Sequence, residues 1–187
     1  MNLYQTSSGL LNNSYANESG QVIYKVSTPN KFSNCVTTVS RIKARSEEVD
    51  FKDRFAPLGY IDWKVFASSV LRYNGTEVKA TEYLKKQGWG WYGRHRVFKG
   101  PDGKEYKWIL GASVSKLVLN DGSETLIAKF HIRKYGVFNA AKARPAYLEI
   151  LPEGEHMVDV IFFTFVYIEK IRKEKERAAQ SSAAAGA

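Results

Sequence analysis

The sequence predicts an all-β chain with one buried helix, as an antiparallel closed β-barrel around a hydrophobic C-terminal helix. Three observations carry this expectation. Roughly ten short stretches follow one another, turned by Gly, Asn and Asp motifs and without β-α-β alternation, which is the pattern of an antiparallel architecture. Residues 157–168 are apolar on every helical side, with only Asp159 and Thr164 polar. With 187 residues, 44% hydrophobic and 13% aromatic, the chain can bury a sizeable core. A β-sandwich with the helix packed on one face is the alternative.

The elements follow in order. Residues 1–20 are rich in Ser, Asn and Gly and read as a partly ordered N-terminal arm. Residues 21–177 form the single barrel domain, and 178–187, low-complexity Ala and Ser, a disordered tail. Val22, Tyr24 and Val26 alternate with Ile23 and Lys25, giving a strand over 21–27 that Pro29 ends. A longer strand spans 32–45, and residues 46–57 make a charged connection. Strands over 58–66, 70–73 and 76–80 follow, the last two joined by Asn74-Gly75, a strong signal for a tight hairpin. Residues 81–87 suit a turn of helix, and Gly88-Trp89-Gly90-Trp91-Tyr92-Gly93 a loop. Two hairpins come next, 94–99 with 104–110 and 114–119 with 124–134, and 146–151 is the last strand.

The helix is placed at about 155–177. Its apolar run is too long for an ordinary strand, and it continues into Lys170-Ile171-Arg172-Lys173-Glu174-Lys175-Glu176-Arg177, a strong helix former with Glu169 and Lys173 at pairing distance. It is too short for a membrane span, which needs about 20 apolar residues. Asp159 suits the positive end of the helix dipole.

The net charge of +9 is unevenly distributed: residues 85–144 hold 13 Lys or Arg against 4 Asp or Glu, and the rest of the chain is neutral. Charge confined to one part of a chain suggests a face for an anionic partner, although scattered solvated lysines would have the same composition. The first residues show no basic and apolar leader, so the expected compartment is the cytoplasm, with peripheral membrane attachment. One cysteine, Cys35, allows no internal disulfide.

Two stretches carry a resemblance. Arg96-Val97-Phe98-Lys99-Gly100-Pro101-Asp102-Gly103-Lys104-Glu105-Tyr106-Lys107-Trp108 is one. The other is Leu148-Glu149-Ile150-Leu151-Pro152-Glu153-Gly154-Glu155-His156-Met157-Val158-Asp159, with Phe165-Val166-Tyr167-Ile168-Glu169-Lys170 after it. Over most of residues 20–175 the chain resembles a family of fungal proteins carrying a domain of unknown function. That family is similar, more distantly, to the tubby C-terminal-like group, with plant LURP-one-related proteins and phospholipid scramblases. The resemblance implies a twelve-stranded barrel around a hydrophobic helix, and no activity.

Signals for chemistry are weak. Gly88-x-Gly90-x-x-Gly93 matches a dinucleotide fingerprint formally, but it lacks the preceding strand and following helix that make such a motif work. Ser113 is not in a nucleophile elbow, and His95, His131 and His156 lack metal-ligand spacing. No cofactor, no metal and no enzymatic activity are expected.

Basic and aromatic residues remain. Lys85, Lys86, Arg94 and Arg96 bracket Trp89 and Trp91; Lys129, His131 and Arg133 alternate with Phe130 and Ile132, placing cations on one strand face; Lys142 and Arg144 lie on a further loop. Tryptophans beside basic residues suit a membrane interface with anionic headgroups. The competing explanation is that Trp89 or Trp91 plugs the barrel end. The expected function is a non-enzymatic module binding anionic lipid or a phosphoinositide through these eleven residues. A protein-interaction module, docking through the helix tail, is the alternative. Nucleic-acid binding is third and disfavoured, because no recognition motif appears.

Overall fold

Antiparallel ladders and one long helix make up the computed structural model, which describes residues 1–29, 35–43, 54–135 and 143–185. In chain order the strands are β1 (Asn2–Gln5), β2 (Asn13–Ala16), β3 (Val22–Ser27), β4 (Val36–Ile42), β5 (Phe55–Asp62), β6 (Val70–Tyr73), β7 (Thr76–Lys79), β8 (Lys85–Gly90), β9 (Gly93–Lys99), β10 (Glu105–Leu110), β11 (Ser115–Leu119), β12 (Leu126–His131) and β13 (Tyr147–Ile150). A short helix, α1 (Ala80–Tyr83), follows β7. A 3-10 turn, Pro152–Met157, leads into the long helix α2 (Val158–Ala185). The chain divides into two compact units, Met1–Tyr83 with His131–Glu149, and Leu84–Phe130 with Ile150–Ala187.

In the first unit the strands run in the order β7-β6-β5-β4-β3-β2-β1-β13. Asn74 and Gly75 both take positive φ, 52° and 75°, as the two-residue turn between β6 and β7 requires. The first twenty residues are not an arm but contribute β1 and β2, with Leu3 and Tyr15 fully buried. Their polar residues are used internally. Asn13 donates through Nδ2 to the carbonyls of Ser7 and Gly9, while its Oδ1 accepts from the Ser7 amide and hydroxyl. A Ser- and Asn-rich segment can thus be ordered when its side chains satisfy its own backbone.

In the second unit the order is β12-β11-β10-β9-β8, and α2 packs on β10 and β11. Trp108 of β10 donates from Nε1 to Thr164 Oγ1 at 3.0 Å, and the Phe165 ring lies 5.1 Å from that of Phe130. Every residue from Val160 to Glu169 is buried, so the all-round apolar pattern does mark an enclosed segment. Asp159 stands in the first turn of α2, where the dipole favours an acid. Beyond Arg177 the helix continues to Ala185 where a disordered tail was expected; alanine has the highest helix propensity and simply extends it.

The protein is therefore mostly antiparallel sheet with one C-terminal helix packed against it. Among the described residues β7 ends the ladder of the first unit and β8 that of the second, with no further strand paired to either. The closed barrel is not seen as such, and sheet with a helix on one face describes the ladders better. Two local expectations also change. Residues 85–87 are strand, not helical turn, and 88–90 strand, not loop, because pairing with β9 outweighs their weak local preference. Ile132 is 53% exposed, since β12 ends at His131 and the inward alternation stops with Phe130.

Candidate functional site

The most unusual surface of the second unit is the β8–β9 hairpin. Three glycines shape it. Gly88 and Gly93 take φ of +53° and +98°, the left-handed region that favours glycine, and the register slips between Gln87 and Gly90. A Cβ on Gly90 would stand 2.6 Å from His95 Cε1 and 2.8 Å from the Leu110 carbonyl oxygen. The glycine spacing thus serves a bulged hairpin closed over the His95 ring, not a nucleotide loop. Burial, then the charge of Lys107, holds the His95 imidazole below its ordinary pKa, and it is neutral at physiological pH.

This backbone sends both indoles outward. Trp89 is 82% and Trp91 83% exposed, which excludes the plug explanation. Lys85 and Lys86 are exposed but point to opposite faces, as neighbours on a strand must, opposite Val97 and Arg96 respectively. Exposed Arg94 shares a face with Arg96 and Lys86, and its Nη2 donates to the Lys86 carbonyl at 3.2 Å. Arg96 is withdrawn, 8% exposed, with Nη1 donating to the carbonyls of Arg94 and His95. Burial, reinforced by Arg94 and opposed by Tyr167, lowers its pKa.

The other expected residues are not part of this hairpin. Lys129 is half-buried on β12, opposite Lys116 of β11, roughly 14 Å from β9 at normal strand spacing. His131, Arg133 and Arg144 belong to the first unit. There His131 lies 2.7 Å from Glu149 Oε2 and stacks on Tyr147 at 4.3 Å. Arg144 covers the other residue of that stack, its guanidinium 5.0 Å from the Tyr147 ring and Nη1 3.1 Å from the Tyr147 hydroxyl. His131 and Arg144 thus have local partners. Lys142 lies outside the described residues.

The sequence reading missed the contribution of α2. Lys175 Nζ lies where a Gly93 side chain would begin, 2.2 Å from that position. Arg172 sits over the Tyr92 ring at 5.8 Å and is itself 2% exposed. Its Nε and Nη2 donate to Glu169, which also accepts from Ser115 Oγ at 2.8 Å. A run of alternating charges reads as a solvated helix face, and nothing in it says which turn meets a strand.

The two stretches that carried the resemblance meet in the same unit. Asp102 Oδ2 accepts from the Tyr106 hydroxyl at 2.8 Å and lies 3.5 Å from His156 Nε2. A Cβ on Gly100 would stand 2.6 Å from the Tyr106 ring. Burial, with the Asp102 hydrogen bond, pushes the Tyr106 phenol up to about 12. Gly100, Asp102, Tyr106 and His156 therefore lock a turn to the 3-10 turn that precedes α2, which is a structural role.

Among the described residues no group of three or more His, Cys, Asp or Glu is placed to hold a metal ion. No described helix is long and apolar enough to cross a membrane. The model of a family of unknown function (DUF6593) matches residues 8–174. No curated protein and no solved structure matches the chain.

Proposed function

We propose that this chain, which belongs to the family of unknown function DUF6593 over residues 8–174, is a non-enzymatic module that docks on anionic lipid surfaces through its β8–β9 hairpin. The observation that carries this reading is the exposure of Trp89 and Trp91, two large apolar rings two residues apart at the tip of a hairpin whose strands bear Lys85, Lys86 and Arg94. A hairpin tip with indoles outermost and cations behind them matches the order of layers in a membrane interface. The distant likeness to the tubby C-terminal-like group, with its barrel closed round the helix, belongs to the same proposal, as does a cytosolic location, where anionic headgroups are found.

Magnitudes assign the parts. Three cations near an anionic surface contribute about 1 kcal/mol each, which alone corresponds to a dissociation constant of about 6 mM. Full burial of an indole, about 150 Å² at about 25 cal/mol per Å², contributes roughly 4 kcal/mol. Half of that from each ring brings the total to about 7 kcal/mol and the affinity to about 10 µM. The rings dominate, and the charges supply the preference for anionic lipid.

Vesicle flotation tests the reading. Wild type should float with vesicles containing anionic lipid and not with neutral ones, and rising salt should weaken the association. Lys85→Glu with Lys86→Glu should abolish it without altering the fold. Equal flotation with neutral vesicles, or an unaffected double variant, rejects the proposal. Capture of a protein by the exposed part of α2 would then become the leading reading.

A further inference from the structure

We propose that Lys86, Arg94, Arg96 and Lys175 together form a binding site for a phosphomonoester group, presented beside the two indoles. The inference rests on the membrane reading and names the headgroup chemistry that the hairpin would select. Its geometry lies within one unit. Arg94 and Arg96 are two apart on β9 and share a face, Lys86 is directly opposite Arg96 in the ladder, and α2 brings Lys175 Nζ onto Gly93.

What makes the cluster informative is its lack of counter-charge. Among the described residues none of the four makes an ion pair. The carboxylates on this stretch of α2 are committed elsewhere: Glu169 and Glu176 to Arg172, and Glu174 to Lys170. Arg172, beside Tyr92, keeps a buried Nη1 with no hydrogen-bond partner. Partial burial, then the charges of Arg96 and Lys86, pull the Lys175 ammonium below the ordinary lysine value. Like charges held together at a partly desolvated place destabilise a fold unless an anion joins them.

The chemistry of that anion follows from the donors. Arg94 and Arg96 each give one nitrogen to backbone carbonyls, and the N–H groups left on the two guanidinium forks favour a tetrahedral oxyanion, to which two ammonium groups add mobile point charges. A phosphomonoester carries about −1.5 to −2 at neutral pH, whereas a phosphodiester carries a single charge. Four cations around one group therefore select the monoester. Such a group can come from a lipid headgroup or from a soluble phosphorylated compound.

Inorganic phosphate and two kinds of vesicle separate the outcomes. Phosphate added to the full chain at constant ionic strength should raise the melting temperature, by about 2–4 °C at about five times its dissociation constant. Wild type should prefer vesicles containing phosphatidic acid, a monoester, over phosphatidylglycerol, a diester, at equal surface charge. Lys175→Met should melt higher than wild type without phosphate, because a repelled charge is gone, yet lose both the phosphate shift and the vesicle preference. Lys116→Met, on β11, should keep the shift. A phosphate shift without vesicle preference supports the site with a soluble ligand as its source. A shift with no binding to either vesicle rejects the membrane reading and keeps the site. No phosphate shift in wild type, or Lys175→Met retaining it, overturns the site, and equal binding to both vesicles would leave the membrane reading in force.

Discussion

Arg172 donates from Nε and Nη2 to the two carboxylate oxygens of Glu169, at 2.9 and 2.8 Å, one turn away on α2, and both side chains are buried. Burial alone would lower the Arg172 pKa, but the hydrogen bonds and charge of Glu169 outweigh it and raise it. The pair ends the apolar stretch of the helix, and Arg172 also meets Tyr92 of the hairpin.

Removing one member should therefore cost more than removing both. Arg172→Met leaves the Glu169 carboxylate buried without its cation, and should destabilise by about 3–5 kcal/mol in denaturant unfolding. Adding Glu169→Gln should recover most of that loss, since the amide needs no counter-charge and can still accept from Ser115. A single variant as stable as wild type would show that the pair is not enclosed in solution.

Gly90 should be intolerant of even one added carbon. Its φ is not in the left-handed region, so the cost of Gly90→Ala comes from contact with the His95 ring and the Leu110 carbonyl, and not from backbone strain. Overpacking of this kind costs about 1–3 kcal/mol. An unchanged denaturation midpoint would mean that the bulged hairpin is differently arranged.

Tyr106 provides a pH signature. An unfolded tyrosine titrates at 10.0, whereas in the fold burial and Asp102 push it up to about 12. A raised pKa favours the neutral form on folding, so this stabilisation is complete below pH 10 and is lost as the pH rises toward 12. The stability difference between wild type and Tyr106→Phe should shrink across that window and stay constant between pH 7 and 9. A difference constant up to pH 12 would show that the phenol is free to ionise.

Most of the architecture was legible where local chemistry decides it. Asn74-Gly75 makes its hairpin because both residues accept positive φ, and residues 160–168 are enclosed because no polar face is available to solvent. What depends on distant neighbours was not legible. Lys85 and Lys86 look helical until β9 is beside them, and Glu169 and Arg172 look solvated until Ser115 and Tyr92 are placed. The site was half legible for the same reason. Trp89 and Trp91 stood out by type and by their glycine neighbours, but Lys175 reaches the hairpin only through the packing of α2 on its sheet. The distant cations of the basic window, His131 and Arg144, have aromatic and acidic partners that composition could not assign.

The exposed indoles are the centre of the account, and one measurement tests them most directly. Co-sedimentation of Trp89→Ala with Trp91→Ala on vesicles containing anionic lipid should show a loss of affinity of at least about 100-fold, because the cations alone hold the surface only at millimolar strength. The loss should persist at every salt concentration, unlike the screening seen with wild type. A double variant that folds normally and sediments like wild type would contradict the account.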